Sequence, residues 1–131
     1  MNILVGYDGS NAALQALLLA GKHAAMRGAK VEVVNCLTQD QEHKYEDIQK
    51  IGDDLEREVH YHLNSINIPY ETHVVISDLE PGEELVHFAE SNKIEEIIIG
   101  IRKRSKVGKL LFGSTAQHVI LNSPCPVVTT K

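Results

Sequence analysis

The apolar runs of this chain are short, and stretches with helical spacing separate them. Asn2 to Tyr7 predicts a first strand, closed by Asp8-Gly9-Ser10. Ser10 or Asn11 can cap the helix that follows, because a side-chain oxygen there accepts from the orphan N–H groups of its first turn. That helix runs to about Arg27, with Ala13, Leu14, Leu17, Leu18 and Ala24 as its buried stripe and Gly28 as its stop. Val31 to Leu37 predicts a second strand. From about Gln41 to Ser65, Tyr45, Ile48, Ile51, Leu55, Val59 and Leu63 recur at steps of three and four, which predicts a long helix with one narrow apolar stripe. Pro69 to Ile76 is a third strand. Glu80-Pro81-Gly82 turns the chain into a helix from Glu83 to about Asn92. Glu95 to Gly100 is a fourth strand, Gly113 to Asn122 a last helix and Cys125 to Thr130 a fifth strand.

Strands alternating with helices imply right-handed βαβ units and a mainly parallel sheet of five strands with helices on both faces, a three-layer open α/β fold. Runs such as Ile97-Ile98-Ile99 lack polar alternation, as strands buried on both sides do. Such a sheet has a topological switch point, and ligands bind there at the carboxyl ends of the strands. Asp8 and Gly100 both fall at that edge. The 131 residues are expected to form a single domain, 1–131, without repeat or linker.

Charge changes the picture at the C-terminal end. Residues 1–96 carry seven Lys and Arg against all eighteen acids, whereas residues 97–131 carry six bases and no acid. Five of those bases, Arg102, Lys103, Arg104, Lys106 and Lys109, lie within eight positions. A cationic segment on an acidic chain suits a bound anion of limited size and argues against a long nucleic-acid track. No apolar run reaches the length of a membrane span and no signal peptide is evident, so a cytoplasmic location is expected. Cys36 and Cys125 both sit in apolar runs and read as buried thiols; a disulfide between them is the minority reading, and they make no zinc framework.

The strand, the basic loop and the helix start at Gly113-Ser114-Thr115 together form a place to hold phosphate. Gly108 to Ser114 approaches a P-loop, but the lysine that should separate Gly113 from Ser114 is absent, which rejects that class. No G-x-G-x-x-G occurs. A phosphoacceptor reading at Asp78 fails because only one acid, Asp8, follows the first strand. Asp8 can accept from a ribose or a base amine, or cap the following helix. His60 and His62 point to different faces of a helix, and no metal ligands or catalytic residues are assigned. With no general base and no carboxylate pair for magnesium in view, an enzyme is not expected.

Ile3-Leu-Val-Gly-Tyr-Asp-Gly-Ser10, the α/β plan, and Gly113-Ser-Thr-Ala-Gln-His-Val-Ile120 running into Ser123-Pro-Cys-Pro-Val-Val128 resemble the universal stress proteins over nearly the whole chain. The resemblance implies an adenine nucleotide alpha hydrolase-like fold with strand order 3-2-1-4-5. It also implies a site for ATP or a related adenine nucleotide, with or without magnesium. The family pattern Gly-x2-Gly-x9-Gly-Ser/Thr falls on Gly100, Lys103, Gly113 and Ser114, with Lys103 standing where the pattern has its second glycine. Tyr7, Asp8, Cys36, Ile101 and Thr115 complete the nucleotide-binding set that the resemblance implies, Asp8 and Cys36 on the base and ribose side. It further implies a homodimer through Val127 to Thr130, while the charge distribution leaves no nucleic-acid partner expected. The alternative is a stress or interaction protein without nucleotide, whose basic loop 102–109 holds a simple anion or a partner.

Overall fold

The computed structural model describes residues 1–39, 44–101, 103–104 and 110–131. The strands are β1 (Asn2–Gly6), β2 (Lys30–Thr38), β3 (Tyr70–Ser77), β4 (Ile94–Gly100), β5 (Lys103–Arg104), β6 (Leu110–Leu111) and β7 (Val127–Thr130). The α-helices are α1 (Asn11–Arg27), α2 (Tyr45–Leu63), α3 (Pro81–Ser91) and α4 (Ser114–Asn122). Five strands form one parallel sheet in the order β3-β2-β1-β4-β7, which is the expected 3-2-1-4-5 arrangement of the five long strands. The pair β5–β6 is an antiparallel ladder of two residues per strand that the sequence pattern does not predict.

Side-chain alternation splits the core in two. Ile3, Val5, Val31, Val33 and Ile98 face α1 and α2, while Leu4, Val34, Ile97 and Ile99 face α3 and α4. The apolar runs are therefore continuous because both faces are covered. Ser10 caps α1 by accepting from the Ala13 N–H at 3.1 Å, and Gly28 ends it in the left-handed conformation.

Two expected stripes need correction. The inward face of α1 is Ala12, Ala13, Ala16, Leu17, Ala20, Gly21 and Ala24, with Leu14 and Leu18 only half-buried on its flank. Small residues at the centre let the helix axis approach the sheet, which pushes the larger leucines aside. On α2 only Leu55, Val59 and Leu63 are buried, Ile48 and Ile51 are half-buried, and Tyr45 is exposed. Tyr45 is the first residue of α2, beyond the part of the helix that packs on the core. The expected start of that helix near Gln41 lies outside the described residues.

A buried carboxylate fixes α1 on the sheet. Glu96 of β4 meets His23 Nδ1 at 2.6 Å and the Arg27 guanidinium at 2.9 Å, through a different oxygen for each. Burial acts to raise the Glu96 pKa, but the hydrogen bonds from His23 and Arg27 outweigh it and hold the carboxyl below its ordinary range.

Candidate functional site

A cleft of about 290 Å³ opens at the carboxyl ends of β1, β2 and β4, where the strand order reverses direction. Gly6, Tyr7 and Asp8 form its floor, Val34, Asn35 and Cys36 one side, and Ile99 and Gly100 the other. Pro81 and Leu85 reach in from α3, and Thr115 and Ala116 from α4.

Local chemistry places these groups. Gly9 has φ +83°, a left-handed turn that lets the chain leave β1 and enter α1 within a few residues. Asp8 sits before that turn, and its Oδ1 accepts from the Ser10 N–H at 3.0 Å. Capping of the helix itself falls to Ser10, while Asp8 closes the turn and lines the cleft. Gly100 is a close-approach position, since a Cβ there would lie 2.4 Å from the Ala12 carbonyl carbon. The α1 N-terminal turn thus rests on the end of β4, and the Thr130 hydroxyl donates to the Ala12 carbonyl at 3.3 Å from the neighbouring strand.

The electrostatics are those of a partly dry site. Burial, and Glu84 on α3 beside it, push the Cys36 thiol up to about 12, so it lines the cleft as a neutral group. The Tyr7 hydroxyl is buried and makes no hydrogen bond of ordinary geometry among the described residues. Burial first, and then the nearby Glu58 carboxylate, raise its pKa above the phenol range. Its ring packs with the core on the α1 and α2 side.

At α4 the capping residue is Gly113, which offers no side-chain cap, and the first helical bond runs from the Gln117 N–H to the Gly113 carbonyl. The N–H groups of the first turn are therefore left for solvent or an anion. Ser114 and Thr115 also line a smaller pocket of about 150 Å³ with Glu80, Gly82, Glu83 and His118, next to the cleft.

Of the expected site residues, the cleft gathers Tyr7, Asp8, Cys36, Gly100 and Thr115. Ser114 lines the adjoining pocket, and Gly113 stands at the helix start with open space where a side chain would be. Ile101 is buried beyond β4, its N–H bonded to the Thr130 carbonyl at 2.6 Å. Lys103 lies in β5, while its side chain and most of the loop 102–109 lie outside the described residues. Asn35, Pro81 and Leu85 were not anticipated. Asn35 was signalled by its place next to Cys36 late in β2, and Pro81 by its place at the start of α3.

The five-stranded parallel sheet of order 3-2-1-4-5 with helices around it is an adenine nucleotide alpha hydrolase-like fold, shared with solved universal stress proteins. Residues 1–131 match the family model described as universal stress protein family, and the chain belongs to that family. A universal stress protein of Mycolicibacterium smegmatis is 32% identical over 129 residues, covering 98% of this chain and 96% of the relative. A universal stress protein structure from Archaeoglobus fulgidus superposes with a TM-score of 0.86 at 36% identity, covering 100% of this chain and 98% of that one. The universal stress protein from the same organism in complex with dAMP gives 0.83 at 32% identity, with coverage of 100% and 98%. Among the described residues, no helix is long and apolar enough to cross a membrane.

Proposed function

We propose that this chain is a stress-response or signalling module that binds ATP or a related adenine nucleotide in the switch-point cleft, and that it works by binding rather than turnover. One observation carries the reading. The uncapped N-terminus of α4 borders a cleft of about 290 Å³ that has apolar walls at Val34, Cys36 and Leu85 and a carboxylate, Asp8, at its mouth. Apolar walls suit a base, a carboxylate suits ribose hydroxyls or an amine, and free backbone N–H groups suit phosphate. The relative solved with dAMP supports the same ligand class. Gly113 and Ser114 would face the phosphates. Any magnesium would come with the nucleotide, since no carboxylate pair lines the cleft among the described residues.

The basic segment supports a second reading, in which the loop 102–109 holds a simple anion or a partner. Isothermal titration with ATP, AMP, dAMP and inorganic phosphate separates the two. Micromolar nucleotide binding that weakens in Ser114→Ala and Gly113→Val is expected. No heat at millimolar nucleotide, or equal binding of phosphate alone, would overturn the first reading. We further propose a symmetric homodimer through β7, the outer strand of the sheet, and a cytoplasmic location.

A further inference from the structure

The amino-terminal halves of β2 and β3 carry a second constellation. Glu32 and Glu71 are register partners on adjacent strands, and His73 is the partner of Val34. The side chains of Glu32, Glu71 and His73 each offer one donor atom, all within 4.8 Å of one another, and no other such group of three occurs among the described residues. They lie on the α3 face, where the His73 ring packs against Phe88 with centroids 5.0 Å apart. Glu32 is buried, His73 half-buried and Glu71 exposed, so the cluster is anchored on one side and open on the other. Glu32 stands four positions before Cys36 on β2, roughly 13 Å along the strand from the nucleotide cleft.

The oxygens are sorted by partner. Lys30 takes Oε1 of both carboxylates, at 3.2 Å from Glu32 and 2.6 Å from Glu71. His73 Nε2 faces the other oxygen of each, Oε2, at 2.6 Å from Glu32 and 3.8 Å from Glu71. Lys30 thus orients the carboxylates from behind, as outer-shell partners of metal ligands do. Two Oε2 atoms and one imidazole nitrogen converge in front. Ligands about 2.1 Å from a tetrahedral ion stand roughly 3.4 Å apart. Admitting an ion therefore requires the short His73–Glu32 contact to open by roughly 1 Å, a side-chain adjustment.

We propose that Glu32, Glu71 and His73 form a binding site for a divalent transition-metal ion, with one nitrogen and two carboxylate oxygens from the chain and the remaining positions open to water. The donor set suits zinc or its neighbours better than calcium or magnesium, which take oxygen ligands alone. The ion sits away from the nucleotide cleft and joins the edge strand β3 to β2. The Lys30 ammonium, ion-paired to both carboxylates, takes no part in coordination, and its charge moderates the affinity.

The test is titration of the chelator-stripped full chain with zinc chloride by calorimetry, repeated on His73→Ala and Glu71→Gln. Saturable binding of one ion per chain is expected, weakened about tenfold or more in each variant. Glu71 is exposed, so Glu71→Gln keeps the fold even if His73→Ala does not. Cobalt binding followed by NMR should shift the His73 ring resonances before those of His60 and His62. No saturable uptake up to millimolar zinc, or wild-type affinity in Glu71→Gln, overturns the site.

Discussion

Gly100 backs directly onto Ala12: a Cβ added to the glycine would lie 2.4 Å from the Ala12 carbonyl carbon and 2.5 Å from its oxygen. Both obstacles are backbone, so neither can swing aside as a side-chain tip would. The glycine is demanded by the packing of α1 on β4, whatever the cleft holds. Gly100→Ala should therefore destabilise the fold by about 2–4 kcal/mol in denaturant titration. A loss of less than about 0.5 kcal/mol would show that the α1 turn can retreat at little cost.

Gly113 is the opposite case. Its φ of −67° suits any residue, and a Cβ there meets nothing within 4 Å. Gly113→Ala should cost no more than about 1 kcal/mol, the ordinary difference between glycine and alanine as N-cap. If phosphate occupies the α4 N-terminus, a bulkier residue at this position weakens nucleotide binding while the melting temperature stays near wild type. Unchanged affinity in Gly113→Val would place the phosphates elsewhere.

These two glycines show what the sequence could carry. Both stand out as strand-end and helix-start glycines, but spacing along a chain does not say whether a missing side chain serves packing or a ligand. The long strands were legible because two-sided burial leaves unbroken apolar runs such as Ile97-Ile98-Ile99. Two-residue strands such as Lys103–Arg104 carry no alternation to read. The α1 stripe differs at Leu14 and Leu18 because apolar spacing does not say which flank of the stripe meets the sheet, and a helix lying close to a sheet presents alanines. In the cleft, Asp8 could be placed from a strand end and Cys36 only through the family resemblance, but Leu85 arrives from α3, far along the chain. His73 and Glu32 are forty-one residues apart and meet only through the β2–β3 register.

The Glu96 carboxylate sets an acid limit on stability. Its pKa is lowered in the folded chain by His23 and Arg27, against the opposing effect of burial. A group whose folded pKa is depressed contributes stability above its unfolded pKa, about 4.3 for glutamate, and loses it as pH falls through the folded value. Glu96→Gln should cost about 1–2 kcal/mol at pH 7, a discounted value because the Arg27 side chain is 37% exposed and can be rehydrated. The difference between variant and wild type should shrink on acidification below about pH 4. A gap of constant size from pH 7 to pH 3 would assign the effect to packing instead.

Cys36 should be less reactive than an ordinary cysteine. With its pKa pushed up to about 12, Cys36 has almost no thiolate at pH 8. Residue-resolved alkylation of the native chain should therefore label Cys36 at least about a hundredfold more slowly than the denatured chain. Saturating adenine nucleotide should slow it further, since Cys36 lines the cleft. Labelling at the denatured rate would mean that this wall of the cleft opens to solvent.

The outer edge of β7 can be tested by a single backbone change. Ile97 and Ile101 donate to the carbonyls of Pro126 and Thr130, so alternate residues of this segment face β4. Val127 and Thr129 then direct their N–H and C=O groups to the open side of the sheet. Thr129→Pro removes one outward N–H while sparing the β4 ladder, and proline is tolerated on edge strands. If two copies pair through this strand, light scattering should give a dimer mass for the wild-type chain and a monomer mass for the variant, with the same far-ultraviolet circular dichroism. A wild-type chain that is monomeric at micromolar concentration, or a variant that remains dimeric, would move the interface away from β7.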